Sequence, residues 1–184
     1  MTIFYLVQHA EKEHQLGDPG LTALGRRQAT WTARWLQDMR VGAVFSSPLR
    51  RARETAQFIA VASGLDVQED ARLRERMNWS DDQPVGAFLA DWAATVRDRD
   101  HVPRSGDSSR HAGARLLGCL TDLAVERGPV AVVTHGGVTV DLLRTLVGDE
   151  VLPDSLLHNG VPSCAITTLD GVAVVDIASQ AHLR

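Results

Sequence analysis

The sequence contains little cysteine, almost no lysine and no long apolar run. Its two cysteines, Cys119 and Cys164, lie far apart and form no CxxC pair, so we expect free, buried thiols rather than a disulfide framework or a zinc site. No segment approaches the ~18 apolar residues of a membrane-spanning helix, and the first residues lack a signal-peptide pattern, so we expect a cytoplasmic protein. The motifs GxSxG, GxxxxGK and GxGxxG are absent, which argues against a serine esterase, a P-loop NTPase and a dinucleotide-binding enzyme.

The overall composition is that of a globular protein. Hydrophobic residues make up 44% and charged residues 23% of the 184 residues, and we expect one domain over residues 1–184. The net charge of -4 provides no general attraction for nucleic acid or an anionic membrane, and we expect neither as a partner. Of the 19 basic residues only Lys12 is a lysine, so a site for an anion would depend mainly on arginine.

Alternating strand-like and helix-like segments predict an α/β fold. Short apolar runs rich in β-branched residues indicate strands at residues 3–7, 42–47, 66–73, 130–134, 165–169 and 172–177, of which the last two form a hairpin. Helical spacing, capping residues and glycine or proline breaks predict helices at residues 22–40, 48–63, 85–99, 109–127 and 138–147. Residues 74–107 interrupt this regular pattern, and we interpret them as an inserted excursion.

Polar side chains follow three of the predicted strands. Gln8 and His9 follow the first strand, 46–51 follows the second, and 134–136 follows the strand at residues 130–134. Because ligands of open α/β sheets bind at the carboxyl ends of the strands, we expect these groups to meet. Two histidines, an arginine and the amides of a helix start form a suitable site for a dianion such as phosphate.

The same residue types suit phosphoryl transfer. A neutral imidazole is a competent nucleophile near pH 7, and attack on phosphorus requires fixed donors for the charge on its oxygens. One of His9 and His135 could attack while the other donors hold the phosphate. A leaving alcohol then needs a proton, for which Glu75, between Arg74 and Arg76, is the candidate carboxyl group.

The sequence resembles the histidine phosphatase superfamily, also called phosphoglycerate mutase-like, over almost its whole length. Four segments carry the resemblance. They are Leu6-Val7-Gln8-His9-Ala10, Ser46-Ser47-Pro48-Leu49-Arg50-Arg51-Ala52-Arg53-Glu54-Thr55-Ala56, Leu73-Arg74-Glu75 and Thr134-His135-Gly136-Gly137-Val138. Each segment alone is a weak signal, but four of them in the family's order, each at a predicted strand end or loop, are specific.

The resemblance implies a three-layer α/β sandwich, in which a mostly parallel central sheet carries helices on both faces. It also implies a phosphatase without a metal or another cofactor, in which His9 attacks phosphorus and becomes phosphohistidine. Glu75 would protonate the leaving group of a small phosphorylated substrate and later activate water. The residues that would bind the phosphate are Gln8, Arg51, His135 and, through its amide, Gly136.

One position departs from the family pattern Leu-x-Arg-His-Gly. The arginine of this pattern is replaced by Gln8, a neutral amide with two N–H groups. Removing a fixed donor from a developing anion can lower a rate by ~10²–10³. Lys12, which lies shortly after His9, could supply the missing positive charge, as could Arg74 or Arg76.

Other functions agree with the same residues. The chain could dephosphorylate protein phosphohistidine, as short members of the family do, although the excursion at residues 74–107 would narrow the site for a folded protein. It could also be a phosphate-binding or regulatory module that has lost turnover through Gln8. A zinc hydrolase is a weaker alternative, because His9 and His14 share no helical face and form no HExxH motif. Candidates for substrate specificity in the excursion are Arg76, Asn78, Trp79 and Trp92.

Overall fold

The structure, a computed structural model, describes residues 1–79 and 83–183, which contain a six-stranded sheet. The strands are β1 (Ile3–Gln8), β2 (Ala43–Ser46), β3 (Val67–Glu69), β4 (Val130–Thr134), β5 (Ile166–Asp170) and β6 (Ala173–Ser179). Their order across the sheet is β3-β2-β4-β1-β5-β6. The first four strands pair in parallel, whereas β5 runs antiparallel to both β1 and β6. The prediction of a mostly parallel sheet with a C-terminal hairpin is confirmed.

Six helices occur in the same two ranges of residues. They are α1 (Ala23–Asp38), α2 (Arg50–Ser63), α3 (Val85–Arg97), α4 (Ser109–Leu123), α5 (Gly136–Leu146) and α6 (Asp154–Asn159). Two begin at side-chain caps: Thr22 accepts from the Gly25 N–H in α1, and Ser108 accepts from the His111 N–H in α4. Such caps satisfy backbone donors that the first helical turn leaves unpaired, so these starts follow from local sequence.

Each face of the sheet carries its own apolar core. On one face α1 and α2 pack against side chains that include Val7, Val44 and Val133. On the other face α4 and α5 pack against side chains that include Leu6 and Phe45. Because neighbouring residues of a strand point to opposite faces, each buried strand supplies both cores. The fold is therefore the three-layer sandwich that the resemblance implies.

The start of α5 differs from its predicted position. The helix begins at Gly136 rather than near Val138. The reason lies in a distant part of the chain, because the Glu75 carboxylate accepts from the N–H groups of Gly137 and Val138 and thereby caps the helix. A cap supplied by tertiary contact is invisible to local sequence patterns.

Two further differences concern α2 and α6. α2 begins at Arg50 rather than at Pro48, and the Arg50 N–H donates to the carboxylate of Asp18 from another loop. α6 was not predicted, because it is only 6 residues long and lacks a side-chain cap. Its Leu156 and Leu157 pack against the core beside α5, so tertiary packing stabilises this short helix.

None of the helices in residues 1–79 and 83–183 is long and apolar enough to cross a membrane. The two cysteines, Cys119 and Cys164, are free and buried, as predicted.

Candidate active site

The carboxyl ends of β1, β2 and β4 lie side by side and bring the predicted site residues together. Gln8 of β1 is paired with Thr134 of β4, and Ser46 of β2 is paired with Val133 of β4. The chain leaves all three strands at the same edge of the sheet, which is where open α/β sheets bind ligands. The residues at these ends form a surface that we call the strand-end wall: Gln8, His9, Ser47 and His135.

His9 is buried and is oriented through both ring nitrogens. Its Nδ1 lies 2.8 Å from the carbonyl oxygen of Ala10, which can only accept, so Nδ1 carries the proton. Nε2 therefore presents a lone pair, and the Nε–H of Arg51 donates to it over 3.1 Å. Burial and the nearby Arg51 charge lower the pKa of His9 to about 3, so the ring is neutral at pH 7. This is the protonation state that a nucleophilic histidine needs.

Arg51 brings a buried positive charge to the lone pair of His9. Its side chain is 5% exposed, and its Nη2–H donates to Oδ1 of Asn78 over 3.2 Å. Nη1 lies 3.9 Å from the Asp18 carboxylate and has no hydrogen-bond acceptor among the described residues. Buried N–H groups almost always have an acceptor, so Nη1 is placed to bind an oxygen of a ligand.

His135 lies next to His9 in the same wall, with the ring centroids 5.2 Å apart. Its Nε2 lies 2.7 Å from Oγ of Ser47, which also accepts from the Leu49 N–H. When the Ser47 hydroxyl hydrogen points at Nε2, the ring proton of His135 lies on Nδ1. Nδ1 is buried and has no partner in the described part of the chain.

The charge state of His135 follows from its surroundings. Full burial, together with the positive charge of Arg51, holds the pKa of His135 well below its usual range. Both histidines of the strand-end wall are therefore neutral at pH 7, and the wall itself contributes hydrogen-bond donors rather than charge.

Glu75 binds the start of α5 beside this wall. Its Oε2 accepts from the Gly137 N–H over 2.9 Å, and its Oε1 accepts from the N–H groups of Val138 and Arg76, each over 2.8 Å. The carboxylate thus lies at the positive end of the helix dipole. Among the first-turn N–H groups, that of Gly136 donates to none of the described residues, which leaves it for a ligand.

Gln8, the last residue of β1, lies beside His9. Its Nε2 lies 3.3 Å from Nε2 of His9, so the amide donates to the same lone pair as Arg51. Its Oε1 is buried and receives no hydrogen bond from the described residues. Gln8 can therefore orient the nucleophile and donate to a ligand, but it adds no charge.

Arg74 and Arg76 pair with carboxylates outside the strand-end wall. Nη2 of Arg74 lies 2.9 Å from the Asp107 carboxylate. Nη1 of Arg76 lies 2.7 Å from the buried Asp141 carboxylate, and the guanidinium carbon lies 3.9 Å from the centroid of the Trp92 ring. Each guanidinium group is therefore engaged by a carboxylate, and Nε and Nη2 of Arg76 are buried without an acceptor among the described residues.

A cavity of about 180 Å³ is lined by Arg51 and by two loops. One loop precedes α1 and is closed by a bridge between Lys12 and Leu21. The other belongs to the excursion, whose Asn78 donates to the Gly17 carbonyl and accepts from Arg51, and so joins both loops to the site. The residues that we call the loop wall are Lys12, Gln15, Met77, Asn78, Trp79 and Phe88.

The aromatic side chains of the excursion form a row next to the cavity. The ring centroids of Trp79 and Phe88 are 6.4 Å apart, and those of Phe88 and Trp92 are 6.2 Å apart. Trp79 and Phe88 line the cavity, whereas Trp92 packs over Arg76. An apolar ring surface facing an arginine is typical of a site for an organic phosphate.

Two functional contacts were not predicted from the sequence. The first is the hydrogen bond by which Ser47 orients His135, and the second is the bridge from Asn78 to Arg51. Ser47 lies inside a segment that resembles the family motif, so its presence near the site could have been recognised. Asn78 carries no such signal, because its contact depends on how the excursion folds back.

Within residues 1–79 and 83–183, no group of three or more histidine, cysteine, aspartate or glutamate side chains could hold a metal ion. His9 and His14, which could have formed a zinc site, do not belong to such a group.

Comparison with known sequences agrees with this geometry. The model of the histidine phosphatase superfamily (branch 1) matches residues 4–172. A glucosyl-3-phosphoglycerate phosphatase of Mycolicibacterium vanbaalenii is 30% identical over 168 residues, which cover 78% of this chain and 73% of that protein. A probable phosphoglycerate mutase GpmB of Yersinia enterocolitica is 28% identical over 183 residues, which cover 90% of this chain and 83% of that protein.

Solved structures share the fold over its full length. A mycobacterial glucosyl-3-phosphoglycerate phosphatase in complex with inorganic phosphate superimposes with a TM-score of 0.79 at 25% identity, covering 100% of both chains. YhfR of Bacillus stearothermophilus superimposes with a TM-score of 0.78 at 23% identity, also over 100% of both chains. At this identity the second comparison is evidence for the fold alone.

Proposed function

This chain belongs to the histidine phosphatase superfamily and is an enzyme of the phosphoric monoester hydrolase type, and from this premise we propose that it hydrolyses a small phosphomonoester through a phosphohistidine on His9. The proposed reaction uses no metal. The observation that carries the proposal is the state of His9, whose neutral ring holds its proton on Nδ1 and its lone pair on Nε2, next to a buried arginine.

In the first proposed step, Nε2 of His9 attacks phosphorus and the bond from phosphorus to the ester oxygen breaks. Arg51 and Gln8 donate to Nε2 in the free site, and they turn to the phosphoryl oxygens when these arrive. The N–H groups that have no acceptor among the described residues then bind the remaining oxygens. They are Nη1 of Arg51, Nδ1 of His135 and the amide of Gly136. Fixed donors of this kind stabilise the charge that spreads over the oxygens in the transition state.

Glu75 completes the proposed cycle. Glu75 takes up a proton from solvent before this step and gives it to the departing ester oxygen, and the resulting carboxylate takes a proton from the water that attacks phosphohistidine. The second attack releases phosphate and returns His9 to the neutral state. The position of Glu75 supports the second half of this role, because the carboxylate is held at the start of the helix that follows His135.

The cavity favours a small substrate. A volume of about 180 Å³ suits a phosphate with a short organic group better than the exposed phosphohistidine of a folded protein. The names of the relatives make phosphoglycerate and glucosyl-3-phosphoglycerate the first esters to assay, alongside a phosphohistidine protein. Preferential turnover of the phosphohistidine protein would reverse this order of substrates.

The test of the mechanism is to trap the intermediate. The enzyme is mixed with a phosphomonoester that carries a radiolabelled phosphoryl group and is denatured at alkaline pH, where phosphohistidine survives. We expect label on His9, and we expect His9→Ala to lose the label and at least ~10³-fold in kcat/KM. His111→Ala is the matched control, because this imidazole is 70% exposed on α4. Full activity of His9→Ala without trapped label would overturn the mechanism.

Gln8 supports a second candidate function, a phosphate-binding module with impaired turnover. A neutral amide at the arginine position leaves the strand-end wall without a charge of its own. Gln8→Arg separates the two functions: a large gain in rate from a near-zero baseline indicates the binding module, whereas robust turnover by the unmodified chain excludes it. Binding of inorganic phosphate without turnover is the result that the module predicts.

A further inference from the structure

We infer that Lys12 is the second cationic ligand of the phosphate and takes the part of the arginine that Gln8 replaces. This inference rests on the proposed phosphate site, and it assigns a role to the only lysine of the chain. Four observations carry it: the pairing of the competing arginines, the place of Lys12 in the cavity, the charge balance there and the free state of the ammonium group.

The competing basic residues near the site are already paired. Arg74 and Arg76 bind the carboxylates of Asp107 and Asp141. Arg115, which also lies near His135, has its Nη2 2.9 Å from the same Asp107 carboxylate. Moving Arg76 to a phosphate would leave the buried Asp141 carboxylate without its ion pair, and moving Arg74 or Arg115 would break one of the two ion pairs of Asp107; both changes are costly.

Lys12 by contrast lies in the cavity that leads to Arg51. Both side chains line the same space of about 180 Å³, together with the aromatic rings of Trp79 and Phe88. The bridge between Lys12 and Leu21 fixes the backbone of the loop at this point. The hydrogen bond from Nζ is a long one, 3.5 Å to the carbonyl oxygen of Glu13, and Nζ pairs with no carboxylate of the described residues. Only this weak contact must break for Nζ to reach a ligand.

Lys12 contributes to the charge balance of the cavity. Arg51 is the other cation that lines the cavity, and it faces the carboxylates of Asp18 and Glu75. His9 and His135 are neutral, and Gln8 carries no charge. Lys12 adds a second positive charge to this cavity, so a phosphate dianion that enters it meets two cations directly.

Lys12 and Arg51 also lie close enough for their positive charges to repel each other. Partial burial and the Arg51 charge lower the pKa of Lys12, which shows that the two positive groups act on each other. An oxyanion between them removes this repulsion and provides both with an acceptor. Two cations that line one cavity thus suit an anion such as phosphate better than a neutral ligand.

The test compares phosphate affinity among four variants by calorimetric titration of inorganic phosphate, which does not depend on turnover. Lys12→Met keeps the length of the side chain but removes its charge, and we expect a Kd ~10- to 100-fold higher. Lys12→Arg should stay within a few-fold of the native chain. Gln8→Arg should tighten binding, and it should do so more strongly in the Lys12→Met background, because the two cations perform the same task.

A matched control excludes a general effect of net charge. Arg53→Met removes one positive charge from α2, the helix of Arg51, but this side chain pairs with Glu69 outside the cavity. Its phosphate affinity should equal that of the native chain. Because Lys12 is the sole lysine, its modification by reductive methylation can be followed by mass spectrometry, and phosphate should slow that reaction.

The outcomes separate this inference from the proposed function. Unchanged phosphate affinity in Lys12→Met, or a loss limited to the KM of an organic ester, overturns the role of Lys12 and leaves the phosphatase intact. Phosphate binding that depends on Lys12 in a chain without turnover upholds the role of Lys12 and overturns the phosphatase. A native chain that binds no phosphate overturns both.

Discussion

The strand-end wall and the loop wall of the active site are built in opposite ways. His9 and His135 are 7% and 0% exposed and follow strands that pair in register, so hydrogen-bonded ladders fix their positions. Lys12 and Phe88 are only partly buried and belong to loops or to the helix of the excursion. The histidines proposed to contact the phosphate are thus positioned by the sheet. The residues proposed to adjust charge and substrate shape belong instead to a loop and to the helix of the excursion.

The two histidines of the strand-end wall, His9 and His135, differ in the ring nitrogen that carries the proton. His9 donates through Nδ1 to a carbonyl and keeps its lone pair on Nε2. His135 contacts the Ser47 hydroxyl through Nε2 and keeps its N–H on Nδ1. In the proposed reaction the partner of each ring decides its role, because it selects the tautomer: His9 attacks phosphorus and His135 donates a hydrogen bond.

The largest effect in this comparison is expected from Glu75, which is bound to the strand-end side of the site. Glu75→Gln keeps the size of the side chain but removes the transferable proton. We expect kcat/KM for alkyl phosphomonoesters to fall by ~10²–10⁴, because an alkoxide leaves poorly without protonation. For p-nitrophenyl phosphate, whose leaving group is stable as an anion, the loss should be much smaller. Steady-state kinetics with both ester classes measures the difference.

The control for this variant must separate catalysis from helix capping. Asp176→Asn also removes a carboxylate that binds a backbone N–H, here that of Ile177 in β6, the strand at the far edge of the sheet. Thermal unfolding of both variants gives the cost of losing such a contact. Equal losses of rate for alkyl and p-nitrophenyl esters in Glu75→Gln would show that Glu75 positions α5 and transfers no proton.

Much of the strand-end wall follows from the sequence, and little of the loop wall does. His9 and His135 of that wall, and Arg51 beside it, could be predicted because buried strands and helix starts are local patterns, and each residue follows one. The pairing of Arg76 with Asp141 could not be placed, because it joins segments that are distant in sequence. The position of Lys12 in the cavity depends on the closure of its loop, which no periodic pattern encodes.

A second, smaller effect concerns acid stability of the strand-end wall. The pKa of His9 is lowered to about 3 and that of His135 is well below its usual range, whereas in the unfolded chain both titrate near ~6.5. As the pH falls below 6.5, the unfolded chain gains protons that the folded chain does not. The free energy of unfolding should therefore fall by up to ~1.4 kcal/mol per pH unit for each histidine.

Asp141 acts in the opposite direction. Burial raises its pKa to about 6, so it contributes stability at acid pH that is lost as the pH rises through this value. The net loss between pH 6.5 and 5 should be ~1.4 kcal/mol per pH unit, measured by denaturant unfolding. His9→Asn and His135→Asn should each make the pH dependence shallower by about one proton. Unaltered slopes in both variants would mean that the rings are charged in the folded chain.

The smallest effect is expected from the aromatic part of the loop wall. Phe88 lines the cavity and stacks between Trp79 and Trp92, and its ring has no group that could donate to a phosphate oxygen. Phe88→Ala should raise KM for an organic phosphomonoester a few-fold, since a partly buried ring contributes on the order of 1 kcal/mol of contact to the organic group. Because phosphate contacts are unchanged, kcat and the inhibition constant of inorganic phosphate should stay within a factor of about two.

Leu89→Ala is the matched control for this last variant, because Leu89 is 58% exposed on the same helix and does not line the cavity. Its KM should equal that of the native enzyme. If Phe88→Ala instead weakens inorganic phosphate as much as the organic ester, the loop wall shapes the phosphate site itself. The strand-end wall and the loop wall would then not act separately, because loss of the Phe88 ring would weaken binding of both the phosphate and the organic group.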